Sequence, residues 1–167
     1  MAGAPAELRR VTPRSQPPPL HVLSFRDRPE AGDLLAVTHG LSAVEQPQFP
    51  RPELVLCVRT DDPSAWALAL GEVARALRGR SSFRYGETVD FGLPISERAP
   101  LSGFVVYKPS VLDAKDARIA LDDGAIHLVQ LYPLHAGELR RIRRDGIDWL
   151  FGEAKVNFYD VGRPDNS

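Results

Sequence analysis

The hydrophobic positions change period several times along the 167-residue chain, and each change predicts an element. From Glu53 to Arg59 apolar side chains occupy both alternating sets: Leu54, Leu56 and Val58 on one, Val55 and Cys57 on the other. A strand apolar on both faces belongs inside a sheet. From Trp66 the period lengthens. Trp66, Leu70, Val73 and Leu77 recur every three or four residues and form one helical stripe, with Arg75 and Arg78 off it. Asp62 stands at the N-cap, Pro63 at the first helical position and Gly79 after the last turn. Ala125 to Leu131 is a second buried strand, entered from Ile119 and Leu121 through Asp122-Asp123-Gly124, a hairpin signature. Pro133 is expected to end it. His135 then takes a helix N-cap with Glu138 three residues on, Leu139 and Ile142 face inward, and Gly146 closes the helix before Ile147, Leu150 and Phe151 pack a final turn.

Weaker patterns fill the rest. Leu20 to Phe25 suits a strand or a short helix, and Leu34 to Thr38 a strand closed by His39-Gly40. Three prolines between Gln46 and Pro52 require a loop, which Phe49 is expected to anchor. Thr88 to Phe91 and Gly103 to Tyr107 are short strands, the second flanked by loops in the manner of an edge strand. Strands without regular helix alternation predict a single α+β domain, a mixed and largely antiparallel sheet with helices packed against it. The domain is placed at residues 20–160. Residues 1–19, rich in proline and arginine and ending in Pro17-Pro18-Pro19, are expected to form a disordered tail, and residues 161–167 a C-terminal tail.

Composition narrows the functional classes. A 43% hydrophobic and 26% charged chain is that of a soluble globular protein, and 21 basic against 22 acidic residues give no global field for nucleic acid or an anionic membrane. The clusters Arg75, Arg78, Arg80 and Arg140, Arg141, Arg143, Arg144 suit solvated helix faces better than a nucleic-acid patch. No apolar run reaches a membrane span, and the N-terminus lacks a signal peptide's apolar segment. One cysteine, Cys57, excludes an intramolecular disulfide and points to a reducing cytoplasm.

Candidate chemistry is sparse. His21, His39, His127 and His135 show no helical two-ligand spacing, so no metal site is expected. His127 in an apolar strand reads as a hydrogen-bonded core residue, and Cys57 as a buried, inert thiol. No nucleophile elbow, P-loop or dinucleotide fingerprint occurs, so no cofactor is expected. Glu87 and Asp90 among Phe83, Tyr85 and Phe91 are the one concentration of acids and aromatics. They read either as a solvated loop whose aromatics plug the core or as a recognition surface. The second reading, joined to an open edge at Gly103 to Tyr107, nominates Tyr85, Glu87, Asp90 and Tyr107 as partner contacts, with a partner segment adding along that edge.

Several short motifs stand in the order and spacing of the Suppressor of fused family, which the stretch from about His39 to Gly152 resembles. Gly40-Leu41-Ser42 is similar to the family's turn motif, and Glu53-Leu54 to the pair that opens its central strand. Trp66 followed by Val73-Ala74-Arg75 resembles its Trp-centred helix. Ser82-Phe83, Gly86-Glu87-Thr88-Val89 and Leu93 resemble its Gly-Asp segment, and Pro133-Leu134 with Glu138-Leu139 its strand-to-helix junction, where His135 replaces the usual threonine. The resemblance implies a non-catalytic protein-binding module. Animal members hold a transcription-factor peptide with an aromatic and two acids. Of these only Glu87 carries over, Ala76 standing at the aromatic and Tyr107 or Lys108 near the second acid. Short single-domain members resemble a bacterial branch proposed to neutralise polymorphic toxins by direct binding, which implies an immunity protein. A cytosolic adaptor for another protein is the alternative, and an enzyme with an unfamiliar site the third reading.

Overall fold

The computed structural model describes residues 18–47, 51–153 and 156–167. Most of the expected N-terminal tail, and Phe49, lie outside the described residues. The strands are β1 (His21–Arg26), β2 (Asp33–His39), β3 (Pro52–Arg59), β4 (Thr88–Asp90), β5 (Gly103–Tyr107), β6 (Arg118–Leu121) and β7 (Gly124–Leu134). The helices are α1 (Pro63–Leu77) and α2 (Ala136–Asp145), followed by a π-helical turn, Trp149–Glu153. The seven strands form one mixed sheet in the order β1-β2-β3-β7-β5-β4, with β6 hairpinned onto β7, so the domain is α+β. β3 and β7 run parallel at its centre and the other pairings are antiparallel.

α1 forms as the stripe predicts. Asp62 accepts the Ala65 N–H at 3.3 Å, satisfying one of the donors a helix start leaves open, and Gly79 takes φ +73° beyond the last turn. Trp66, Leu70 and Val73 are buried against Leu54, Leu56, Val58, Phe104, Val106, Val129 and Leu131, which makes the main core on one face of the sheet. Arg78, expected in water, instead turns back toward the sheet and hydrogen-bonds to backbone.

On the opposite face α2 and the turn after it cover only β7, β5 and β4. Val105, Tyr132, Leu134, Leu139, Ile142, Trp149 and Leu150 form a second, smaller core there. Among the described residues the other half of that face, over β1, β2 and the β6 hairpin, carries no helix, and Leu23, Phe25, Ile119 and Leu121 are exposed.

Three expectations are corrected. β7 does not stop at Pro133: it runs to Leu134, with Pro133 opposite Phe104. β3 pairs with β7 only as far as Gln130, so beyond it the strand has a sheet neighbour on one side, where a residue without an N–H is tolerated. β5 is not an edge. It lies between β7 and β4, and beyond β4 the Gly86 N–H donates to Val106 O while the Val106 N–H donates to Glu87 O, both at 2.8 Å. Among the described residues the outer strands of the sheet are β4, β1 and, beside the start of β7, the short β6. The stretch 161–167 also packs closely. Val161 joins the main core and Arg163 forms a buried ion pair with Glu138 at 2.6 Å.

Candidate functional site

The four nominated contacts lie around the β4–β5 end of the sheet, but they do not converge on one point. Tyr85, half exposed, stands with its ring centre 5.2 Å from that of Tyr107, and burial followed by the nearby Tyr107 raises its hydroxyl pKa. Tyr107 stacks on Phe151 at 4.1 Å with planes 15° apart. Asp90, at the far end of β4, accepts the Gly92 N–H at 2.9 Å and meets the Arg143 guanidinium at 3.4 Å. Arg143 also donates to Thr88 Oγ1 at 3.2 Å, so α2 reaches across to this edge. Glu87 turns elsewhere, accepting from Ser81 Oγ at 2.8 Å and from Ser82 Oγ. Its carboxylate ties together the loop that follows α1.

The aromatics of this segment divide between core and surface. Phe83 is fully buried in the main core at φ +47°, a plug held in the left-handed region by its surroundings. Phe91 packs edge-to-face on Phe104 at 5.9 Å, and Tyr85 stays at the surface.

Sequence reasoning missed what lies beside Tyr107. Tyr107, Tyr132, Phe151, Phe158 and Tyr159, with Lys108, Pro109 and Ser110, line a cavity of about 270 Å3. Phe151 contacts Tyr132 edge-on at 5.3 Å and Phe158 at 5.1 Å, so the walls brace one another. Tyr132 OH donates to Lys108 O at 2.8 Å, and burial pushes its pKa up to about 12. A phenol held neutral and spent on a backbone carbonyl is a structural group, not an acid poised for catalysis. The only available signal was the run of aromatics from Phe151 to Tyr159, which periodicity alone assigns to packing.

The family-like motifs also acquire a physical meaning. Glu53, buried at the start of β3, accepts from Thr38 Oγ1 (2.6 Å), the Gly40 (2.9 Å), Leu41 (3.3 Å) and Ser42 (3.0 Å) N–H groups, and Ser42 Oγ (2.7 Å). A carboxylate satisfied by five donors tolerates burial. The Gly-Leu-Ser turn and the Glu-Leu pair are thus two halves of one clamp. At the strand-to-helix junction Glu138 accepts the His135 N–H at 3.0 Å and both Arg163 amino groups at 2.6 Å. Arg163 also donates to Pro133 O at 3.0 Å.

His127 is half-buried on β7, its backbone N–H donating to Arg51 O at 3.0 Å. Cys57 is buried in mid-strand, where desolvation, then the Asp33 charge, pushes its pKa up to about 12; a thiol so protonated is a poor nucleophile. Among the described residues no group of three or more His, Cys, Asp or Glu side chains could hold a metal ion, and no helix is long and apolar enough to cross a membrane.

The model of the Suppressor of fused protein family matches residues 16–164. No curated protein matches the chain. Among solved structures, the fold is shared with a SUFU homolog from Neisseria gonorrhoeae FA 1090, at TM-score 0.69 and 20% identity over 87% of this chain and 77% of that one. Drosophila Suppressor of Fused aligns at TM-score 0.62 and 14% identity over the same share of this chain, which spans 42% of that protein. A chain of a Sufu–Fu complex aligns at TM-score 0.63 and 13% identity, with 87% and 76% covered. The family match spans most of the sequence, the Glu53 and Glu138 clamps included: the chain belongs to the Suppressor of fused family.

Proposed function

We propose that this chain is a non-catalytic protein-binding module and, within that class, an immunity protein that neutralises a polymorphic toxin by binding it directly. Family membership carries the proposal, and the Sufu–Fu complex shows a related fold in a protein assembly. The sites with perturbed proton affinity support the same reading. Cys57 and Tyr132 are both buried and committed to the protein interior, which leaves surface, not reactivity, as the working material. The protein acts in the cytoplasm in this proposal, where its single thiol stays reduced.

The partner docks at the β4–β5 end, with Tyr85, Glu87, Asp90 and Tyr107 in contact. Tyr85 and Tyr107, backed by Phe151, supply the rigid aromatic anchor of an interface. An extended partner segment pairs along β4, the outer strand here, and Asp90 meets a basic side chain on it. Glu87 adds negative charge while keeping the loop in place through Ser81 and Ser82.

The test is reconstitution with a toxin encoded beside the gene. A one-to-one complex on a sizing column and rescue of toxin-poisoned cells are expected; a folded chain that neither binds nor protects ends the immunity assignment. Tyr85→Ala should weaken the complex at least tenfold while shifting Tm by no more than a few degrees, since the ring is half exposed. Glu87→Ala read by both Tm and affinity separates contact from loop-bracing. A fall in affinity matched by a fall in Tm removes Glu87 from the interface.

A further inference from the structure

Strand register brings together two histidines that lie 18 residues apart in sequence. β1 and β2 pair antiparallel with His21 directly opposite His39, so both side chains leave the same face of the sheet. Their ring centres are 6.3 Å apart with planes tilted by 35°. Both residues are exposed and border a cavity of about 400 Å3 whose walls include Leu23, Val37, Glu53 and Leu128. This is the helix-free half of the sheet face, away from the β4–β5 end.

The backbone under the pair is braced from two directions. Arg78 donates through Nη1 to Pro18 O at 2.8 Å and through Nη2 to Gly40 O at 2.7 Å. One guanidinium therefore joins the segment entering β1 to the residue leaving β2. Glu53 holds the same turn by accepting the Gly40 N–H. Gly40 itself is required, since it sits at φ +105° and a Cβ there would stand 2.5 Å from Pro19 O. Ligands on a backbone fixed in this way surrender little freedom when they bind.

We propose that His21 and His39 form a two-imidazole site for a late first-row divalent transition ion, with the ion's remaining positions open to water on the exposed rim. Imidazole suits Cu2+, Ni2+ and Zn2+, with Cu2+ held most tightly. At metal–nitrogen distances of about 2.0–2.1 Å, two imidazole centres sharing an ion stand roughly 5–6.5 Å apart, according to the angle at the metal. The observed 6.3 Å is the separation of two imidazoles lying trans on a square-planar ion, the geometry Cu2+ and Ni2+ take, whereas a tetrahedral ion would need the two exposed rings about 1 Å closer. Hard ions that need oxygen ligands do not fit, because the Glu53 carboxylate nearby is already filled by five donors. A search for ligands at helical spacing passes over such a pair. Its spacing is set by a β1–β2 connection of arbitrary length, and only the register places the rings opposite each other.

The experiment uses the full chain without an affinity tag, stripped with EDTA and titrated calorimetrically with CuCl2, NiCl2 and ZnCl2 in separate runs. One ion per chain is expected, tightest for Cu2+. His21→Ala and His39→Ala should each weaken binding at least tenfold, whereas His127→Gln should leave it within twofold. Circular dichroism on each variant confirms the fold, which exposed residues leave intact. Absence of saturable binding up to millimolar ion, or binding that survives either alanine substitution unchanged, overturns the site.

Discussion

One face of this sheet is finished in two ways. Over β7, β5 and β4 it is sealed by α2, by the turn after it and by a second core of Val105, Tyr132, Leu134, Leu139 and Leu150. Over β1, β2 and the β6 hairpin it is bare, and Leu23, Phe25, Ile119 and Leu121 each keep two-fifths or more of their surface in water. The edges follow the same division. β4 is three residues long and its Thr88 and Asp90 side chains are held from α2 by Arg143, while β1 is six residues long and exposed along most of its length. On this face, burial is therefore concentrated at one end, and the other end stays open. Substitutions in the two halves should separate cleanly into those that unfold the protein and those that do not.

The largest effect belongs to the strut that locks the sealed half. Arg163 and Glu138 keep 4% and 0% of their side-chain surface exposed, and the pair joins the C-terminal segment to the junction of β7 and α2. Arg163→Ala leaves a buried carboxylate without its countercharge and should cost ~3–5 kcal/mol. Urea denaturation measures it, and a loss below about 1 kcal/mol would show that water reaches Glu138. Leu70→Ala, in the stripe of α1 on the other face, and Leu139→Ala in the second core should each cost ~2–5 kcal/mol, the usual range for truncating a fully buried leucine. A cost below about 0.5 kcal/mol for Leu139→Ala would remove the distinction between the sealed and bare halves.

Buried periods were more legible in the sequence than pairings, in both halves. The run of apolar residues on both faces of β3 and the Trp66–Leu77 stripe predict the central strand and α1, because burial imposes a period that one sequence displays. Pairings do not have that property. Nothing local to Gly103–Tyr107 says that Thr88–Asp90 will lie beside it, and so β5 looked like an edge. Long-range charge partners were hidden for the same reason: Glu53 looked like the first residue of a strand, and Arg163 like part of a tail. Each finds its partners only once the fold is formed. Of the candidate contacts, residue types alone could nominate Tyr85 and Tyr107, but not the Phe151 and Phe158 rings that complete the aromatic wall.

A smaller effect is expected from pH, and it reports on the second core through Tyr132 and on the central strand β3 through Cys57. Burial pushes Cys57 from 9.0 to about 12 and Tyr132 from 10.0 to about 12. Each folded-state value is raised, so the unfolded chain gives up its proton first as pH rises. The stability these groups contribute is complete below about pH 9 and declines between pH 9 and 12. Urea midpoints at pH 7.5, 9 and 10.5 should fall in that order, and Cys57→Ala should flatten part of the slope once its own cavity cost is subtracted at pH 7.5. A native Cys57 that reacts with a thiol reagent at pH 8 as fast as the unfolded chain would show that the strand is open there.

The smallest effect tests the bare half directly. Leu23 and Phe25 project from β1, each 49% exposed, and among the described residues no helix packs over them. Replacing either by Ser gives up only the buried half of the side chain and should cost about 1 kcal/mol, less than any of the fully buried leucines. The double variant should behave as the sum of the two, and its unfolding midpoint should not depend on protein concentration. A larger loss that shrinks as the parent chain is diluted would mean that these side chains are covered in solution by another copy. The face would then be bare only in the isolated chain, and the contrast between the two halves would belong to the monomer and not to the working protein.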